Sequence, residues 1–335
     1  MPIIDMKASD NKTLSIVPCL NNSSNFKKSI AVFALVLFSG ILLGTGNTKV
    51  EAASVSAISS LQQTAADKTS ATISFQPSED AASYNIFYKE YGADDFVLAG
   101  NTTSTTYTLT GLKPATNYSV KVTAVNGADE SYGVTDYDVV TLPDQMTGLH
   151  QERWYYFIKE LNVAWDRQSA ADGYEVTLLD DKGKKVKSLT LSGYSSSISF
   201  SKMKDKVYTV KARSFMTYNG QKYYSSYASI RCLNQARITK IKVNGSKLNL
   251  KWGKISGATR YQIYVSTNPK KGYKKVATVS SKKNSCTIKK FKGKKFSSKK
   301  TYYVYVKTVC NKGKSKNTSG ALYYWNSKTN NFGYL

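Results

Sequence analysis

Asp205 is the last carboxylate side chain in a chain of 335 residues, so the following 130 residues carry positive charge with no acidic partner of their own. Residues 234–335 hold 25 Lys plus Arg and no Asp or Glu. Residues 54–143 hold 4 Lys against 10 Asp plus Glu, a net of −6, and residues 144–233 hold 14 basic and 9 acidic side chains, a net of +5. A segment at +25 repels itself, and the partner it calls for is an external polyanion that supplies the missing negative charge. Lysine outnumbers arginine there, which suits diffuse attraction to a charged polymer over bidentate reading of one phosphate or carboxylate.

Catalytic chemistry has little to stand on. The single histidine, His150, falls in a link between repeats, far in sequence from any serine or cysteine in a tight-turn context, so no hydrolase triad is indicated. The acidic pairs Glu79-Asp80, Asp94-Asp95, Asp129-Glu130 and Asp180-Asp181 are each expected in a turn and solvated. Neither an alternating-oxygen loop nor a pocket-forming segment accompanies them, as calcium binding or glycoside hydrolysis would require. No Cys/His cluster suggests zinc, and no cofactor is expected. Cys232, Cys286 and Cys310 are too few for a disulfide scaffold. Alternation points Cys286 and Cys310 into one core, but their unequal distances from the neighbouring landmarks favour small buried apolar thiols over a bridge.

The elements that position these residues follow from a repeat. Phe75, Trp165 and Trp252 each precede a tyrosine by nine residues, at Tyr84, Tyr174 and Tyr261, and a further tyrosine follows at Tyr118, Tyr208 and Tyr302. Those separations are 34, 34 and 41 residues, which marks three copies of one module. Apolar residues alternate within each copy, as strands require. Inward rows run Ala71-Ile73-Phe75, Tyr84-Ile86-Tyr88 and Tyr118-Val120-Val122-Ala124 in the first copy, with matching rows ending at Trp165, Leu178 and Ala212, then at Trp252, Val265 and Val306. Asn126-Gly127, Asn219-Gly220 and Asn311-Lys312-Gly313 supply residues that tolerate positive φ in hairpin turns. About seven short strands per copy describe an all-β, two-sheet antiparallel sandwich repeated in tandem. The boundaries expected are 54–143, 144–233 and 234–330, with protease-sensitive links at 143–153 and 234–240.

Leu112, Pro114, Thr116 and Tyr118, within LTGLKPATNYSVKV, resemble the corner that opens the sixth strand of fibronectin type III domains. The later copies lack the Pro and Thr, with Met203 and Phe291 where Leu112 stands, so their corners are expected to be weaker. The resemblance implies immunoglobulin-like sandwiches over about residues 54 to 330 and little about activity, because this fold serves spacers, adhesins and binding modules alike.

Before the first copy, Lys27-Lys28 leads into an apolar run from Ile30 to Leu43 and then GTGNTKVEAAS. The run is short of the ~20 residues of a membrane span, and small residues at Val50 and Ala52 suit cleavage after Ala52 or Ala53. Residues 1–53 therefore read as a secretory signal with a long polar lead, translated from Met1 or Met6. Cys19 precedes the apolar run, where no lipid-attachment cysteine belongs, and the C-terminal TNNFGYL has no sorting motif. The expectation is a secreted, non-enzymatic protein without a membrane span, retained on a wall by charge.

In this fold family the connections between the third and fourth strands and between the fifth and sixth share one end. In the third copy they hold Lys270, Lys271, Lys274 and Lys275, then Lys289, Lys290, Lys292, Lys294, Lys295, Lys299 and Lys300. The expected partner of that basic pole is an anionic wall or matrix polymer. Acidic polysaccharide or non-specifically bound nucleic acid, and a protein partner for a structural spacer or assembly subunit, are the alternatives. Tyr264, Tyr303 and Tyr305 fall on the outward register, either to stack on sugar rings or bases or to pair across strands.

Overall fold

The computed structural model describes residues 54–155, 157–312 and 315–335, so the expected signal segment, Cys19 and Gly313 lie outside the described residues. No helix occurs among those residues. Three pairs of antiparallel sheets follow one another along the chain. The first pairs Leu61–Ala66, Ser70–Phe75 and Thr106–Thr110 against a sheet of Val97–Thr102, Ser83–Glu90 and Asn117–Asn126, with Asp129–Glu130 and Val134–Val140 beside the last. The second and third repeat this order around Glu160–Ala164 and Tyr208–Tyr218, then Lys247–Trp252 and Tyr303–Lys312. The inward rows read from alternation are the core: Ile73, Ile86, Val120, Leu161, Val176, Val210, Leu248, Ile263 and Val304 are all buried.

Hydrogen bonding explains the aromatic repeat. Tyr84, Tyr174 and Tyr261 each carry a hydroxyl back to the backbone N–H six residues earlier, at Ser78 (3.2 Å), Gln168 (2.7 Å) and Ile255 (2.8 Å). Each ring packs on the preceding aromatic, with centroids 4.7 Å apart for Phe75–Tyr84 and 5.4 Å for Trp165–Tyr174 and Trp252–Tyr261. The later tyrosines do the same at the corner. Tyr118 accepts from the Lys113 N–H at 2.8 Å, Tyr208 from Lys204 at 3.1 Å and Tyr302 from Ser297 at 3.1 Å. The corners of the second and third copies are therefore kept without Pro and Thr. The bond needs only a phenol and a reachable N–H, and buried Met203 and Phe291 fill the apolar place of Leu112.

Other expectations change. The seventh strand is broken in every copy, at Ser131, Ser225 and Ser319. Each serine hydroxyl accepts the N–H of a sixth-strand residue, Ala124, Ser214 or Thr308, and the carbonyl of that residue accepts the serine N–H. A side chain thus occupies a ladder position and the strand resumes past it. The third copy adds Phe332–Tyr334, which folds back along Tyr323–Asn326. His150 is not in a link but opens the strand His150–Tyr155, exposed, with Nδ1 2.6 Å from the Gly148 carbonyl. Asp129–Glu130 pairs as a short strand, Glu130 accepting from Thr123 and Asn85. Cys232, Cys286 and Cys310 are free thiols, and burial pushes Cys232 up to about 12 and Cys286 up to about 11.

The expected open links are also corrected, because the copies meet through buried contacts. Tyr218 donates its hydroxyl to Asp136 and accepts the Gln63 N–H at 2.9 Å, beside a small core of Val140, Met216 and Tyr218. At the next junction Leu233, Asn234, Gln235 and Ala236 are buried, and Val207 joins the third core. Asp181 is likewise not a solvated turn residue. It accepts from the Ser256 hydroxyl and pairs with Lys206 at 3.4 Å, while Lys206 also reaches Asp180 at 3.4 Å. The Ser256 hydrogen bond, against the opposing effect of burial and with help from Lys206, holds the Asp181 carboxyl below its ordinary value.

Trp252→Ala should cost about 3–5 kcal/mol by calorimetry, and Tyr261→Phe, which strands a buried N–H, about 1–3 kcal/mol. A loss under about 1 kcal/mol for Trp252→Ala would put that ring on the surface. Limited proteolysis should spare 233–236, where several consecutive residues are buried. A depressed carboxyl pKa stabilises above its unfolded value and loses that contribution as the pH falls, so protease sensitivity there should rise below about pH 4, and Asp181→Asn should remove the pH step.

Candidate polyanion-binding site

The two lysine-bearing connections of the third sandwich share one end because of strand register. Arg260–Ser266 runs antiparallel to Tyr303–Lys312 with Ser266 opposite Tyr303, so 267–273 leaves the sheet where 297–302 enters it. The turn after Tyr323–Asn326 lies there too, since Tyr303 is opposite Asn326. All eleven expected lysines are exposed. Lys270 and Lys271 sit in the first connection, their N–H groups donating to Asn268 Oδ1 at 2.9 and 3.2 Å, and Lys274 and Lys275 open the next strand. None of these lysines takes part in an ion pair among the described residues.

The longer connection is a built element. Lys290–Phe291 pairs with Lys294–Lys295 around a turn whose residues, Lys292 (φ 49°) and Gly293 (φ 76°), are both left-handed. Such a two-residue turn matches strand twist, although a lysine at positive φ is strained. Phe291 and Phe296 are buried and anchor the hairpin in the third core, with Phe296 4.8 Å from Tyr302. The Phe296 N–H also donates to the Ser246 carbonyl at 3.2 Å. With those two rings inside, Lys289, Lys290, Lys292, Lys294 and Lys295 are left outside, and Lys290 stands directly opposite Lys295. Like charges opposed across a ladder destabilise it.

The tyrosines expected on the outward register are placed differently from one another. Tyr264 stacks on Tyr305 at 4.9 Å, and Tyr273 covers Tyr305 from 4.8 Å, so Tyr305 is buried and its face is not free to stack on a ligand. Burial, with Tyr264 beside it, pushes the Tyr305 phenol up to about 12. Tyr303 and Tyr264 remain half-buried, with Tyr303 edge-on to Tyr324 at 5.0 Å.

Residues 56–136 match the family described as Fibronectin type III domain. The first sandwich is a fibronectin type III domain. The second and third sandwiches share its strand order, core rows and both tyrosine hydrogen bonds, so the described chain is a tandem of fibronectin type III-like sandwiches. No protein of curated function matches the chain. Among solved structures, a two-domain fibronectin type III segment of chicken tenascin is 17% identical, covering 53% of this chain and 100% of its own, at a TM-score of 0.35. The FN1–FN3 domains of chicken CNTN1 are 13% identical, covering 79% of this chain and 98% of theirs, at a TM-score of 0.26.

The lysine pole departs from the first fibronectin type III domain in having the hairpin inserted between Phe291 and Tyr302. No group of three or more His, Cys, Asp or Glu side chains placed to hold a metal ion occurs among the described residues. One cation escaped the sequence reading: Lys307, half-buried on the sheet face, has Nζ 5.6 Å from the Tyr264 ring and 5.9 Å from Tyr305. Its place five residues after Tyr302 repeats that of Arg213 after Tyr208, a signal the spacing contained. Phe296→Ala should cost about 3–5 kcal/mol in the third domain and should accelerate amide exchange across 289–301. Unchanged exchange there would show that the hairpin holds without its anchor.

Proposed function

We propose that this is a non-enzymatic binding protein acting outside the cell, whose third domain binds an anionic wall or matrix polymer. The domain boundaries 54–143, 144–233 and 234–330 belong to this reading. The observation that carries it is the Phe291–Phe296 hairpin, which displays five lysines at one pole, two of them directly opposed, in a domain without a single carboxylate. Self-repulsion of that kind is relieved by a ligand that brings many negative charges at once. Fibronectin type III sandwiches are common in cell-surface proteins and serve many roles, which fits a binding protein without naming its ligand. No described helix is long and apolar enough to cross a membrane, a statement that leaves β-barrels aside.

Binding through many weak lysine contacts releases counterions, so it weakens steeply with salt. Replacing Lys289, Lys290, Lys292, Lys294 and Lys295 together by glutamine should weaken binding of the chain to purified glycerol-phosphate wall polymer. It should also flatten the dependence of log affinity on log salt by about 1 per contact removed. The same affinity and slope in parent and variant would overturn the polymer reading. A second reading, a spacer or assembly subunit with a protein partner, draws on the hydrogen-bonded junctions at Tyr218–Asp136 and Asp181–Ser256, which suit a protein that holds a fixed length. That reading gains if salt extraction leaves the protein on cells and a protein partner is recovered with it.

A further inference from the structure

The outer sheet faces of the second and third domains share one cross-strand pair, and in the third one of its two charges is missing. In the second domain Glu175 lies opposite Arg213 in the strand register, and Arg213 Nε donates to its carboxylate at 2.9 Å. The Arg213 guanidinium also lies over the Tyr224 and Tyr227 rings, 3.5 and 4.5 Å from their centroids, and Tyr227 donates its hydroxyl to Glu175 at 2.7 Å. Burial pushes the Glu175 carboxyl up, but the hydrogen bonds from Tyr227 and Arg213 outweigh it and hold the group below its ordinary value. Cation, carboxylate and rings there satisfy one another. In the third domain the corresponding register pair is Gln262 opposite Lys307. The carboxylate has become an amide, whose Oε1 takes a hydroxyl from Tyr264 at 3.3 Å, and the positions of Tyr224 and Tyr227 hold Thr318 and Ala321, so the rings near Lys307 are Tyr264 and Tyr305 instead.

The rings of the third domain form a row of their own. Tyr264 on one strand stands opposite Tyr305 on the next, and Tyr324 on the following strand is opposite Gly333, whose missing side chain leaves space that the Tyr324 hydroxyl fills. Tyr303 and Tyr273 flank this row on the side of the lysine pole, Tyr273 lying in the connection between Lys271 and Lys274. An aromatic strip therefore runs across several strands from a half-buried cation to the exposed lysines. Phosphate-only polymers have no apolar face and would use the lysines alone. A sugar ring offers a C–H face to an aromatic ring, and a uronic acid adds a carboxylate beside it.

We propose that the outer face of the third domain is a binding site for an acidic polysaccharide, with Lys307 taking a sugar carboxylate in the place Glu175 holds in the second domain, and Tyr264, Tyr303 and Tyr324 stacking on sugar rings. The proposal rests on the polymer reading above and narrows it to sugar-containing ligands. Two probes separate the two: hyaluronan, a uronic-acid polysaccharide, and inorganic polyphosphate, which carries charge alone. The variants are Gln262→Glu, which gives Lys307 an internal carboxylate, and Tyr264→Ala with Tyr324→Ala, checked against the ring-preserving Tyr264→Phe with Tyr324→Phe. The first two should each weaken hyaluronan binding by at least about tenfold, about 1.4 kcal/mol, with polyphosphate binding unchanged and the Phe variant equal to the parent. The five-lysine variant should lose both ligands. Unchanged hyaluronan binding in Gln262→Glu and the Ala pair, or equal loss of both ligands, would overturn the site. Parent binding to polyphosphate but not hyaluronan would overturn it and leave the polymer reading standing, and binding to neither would remove both.

Discussion

The structure depends on a buried phenol closing a loop onto a backbone N–H. In each sandwich two tyrosines perform this bond, one six residues upstream before the third strand and one at the corner before the sixth. A buried N–H without a partner costs about 1–3 kcal/mol, and the loops that would leave one exposed to that cost lie between the two sheets. The bond therefore ties each loop to the core, and the loop can vary in length as long as the tie survives. The third domain uses that tolerance: between Phe291 and Tyr302 the chain grows into a hairpin, yet Tyr302 still captures the Ser297 N–H. The lysine pole is an insertion that the corner permits.

Much of this was legible in sequence because the tie has a fixed spacing. A nine-residue interval between aromatic and tyrosine locates the second and third strands without reference to their remaining residues, and period-two alternation then assigns every core row. What spacing missed was set by hydrogen bonds that leave no periodic trace. Ser131, Ser225 and Ser319 break the seventh strand, yet serines are common in this chain and nothing in composition marks those three. The junction at Asp181 was hidden for another reason. A carboxylate in a turn is ordinarily solvated, but here Lys206 of its own domain and the Ser256-Gly257 turn of the next close over it.

The site was half legible. Charge counting places the lysines, and strand order places their connections at one end, but burial of Tyr305 between Tyr264 and Tyr273 depends on ring packing that register alone leaves open. Comparison of Gln262–Lys307 with Glu175–Arg213 needed the pairing register as well as the spacing. Internal repeats are informative here because they provide an aligned control within one chain: the second domain shows the same cross-strand pair with its charges cancelled.

The three free thiols have a consequence for where the protein can work. No covalent bridge joins the sheets at Cys232, Cys286 or Cys310, so cohesion within each domain comes from packing and from the phenol ties. Folding then requires no oxidant and no disulfide isomerase, and strongly reducing surroundings leave the described domains as intact as aerated ones.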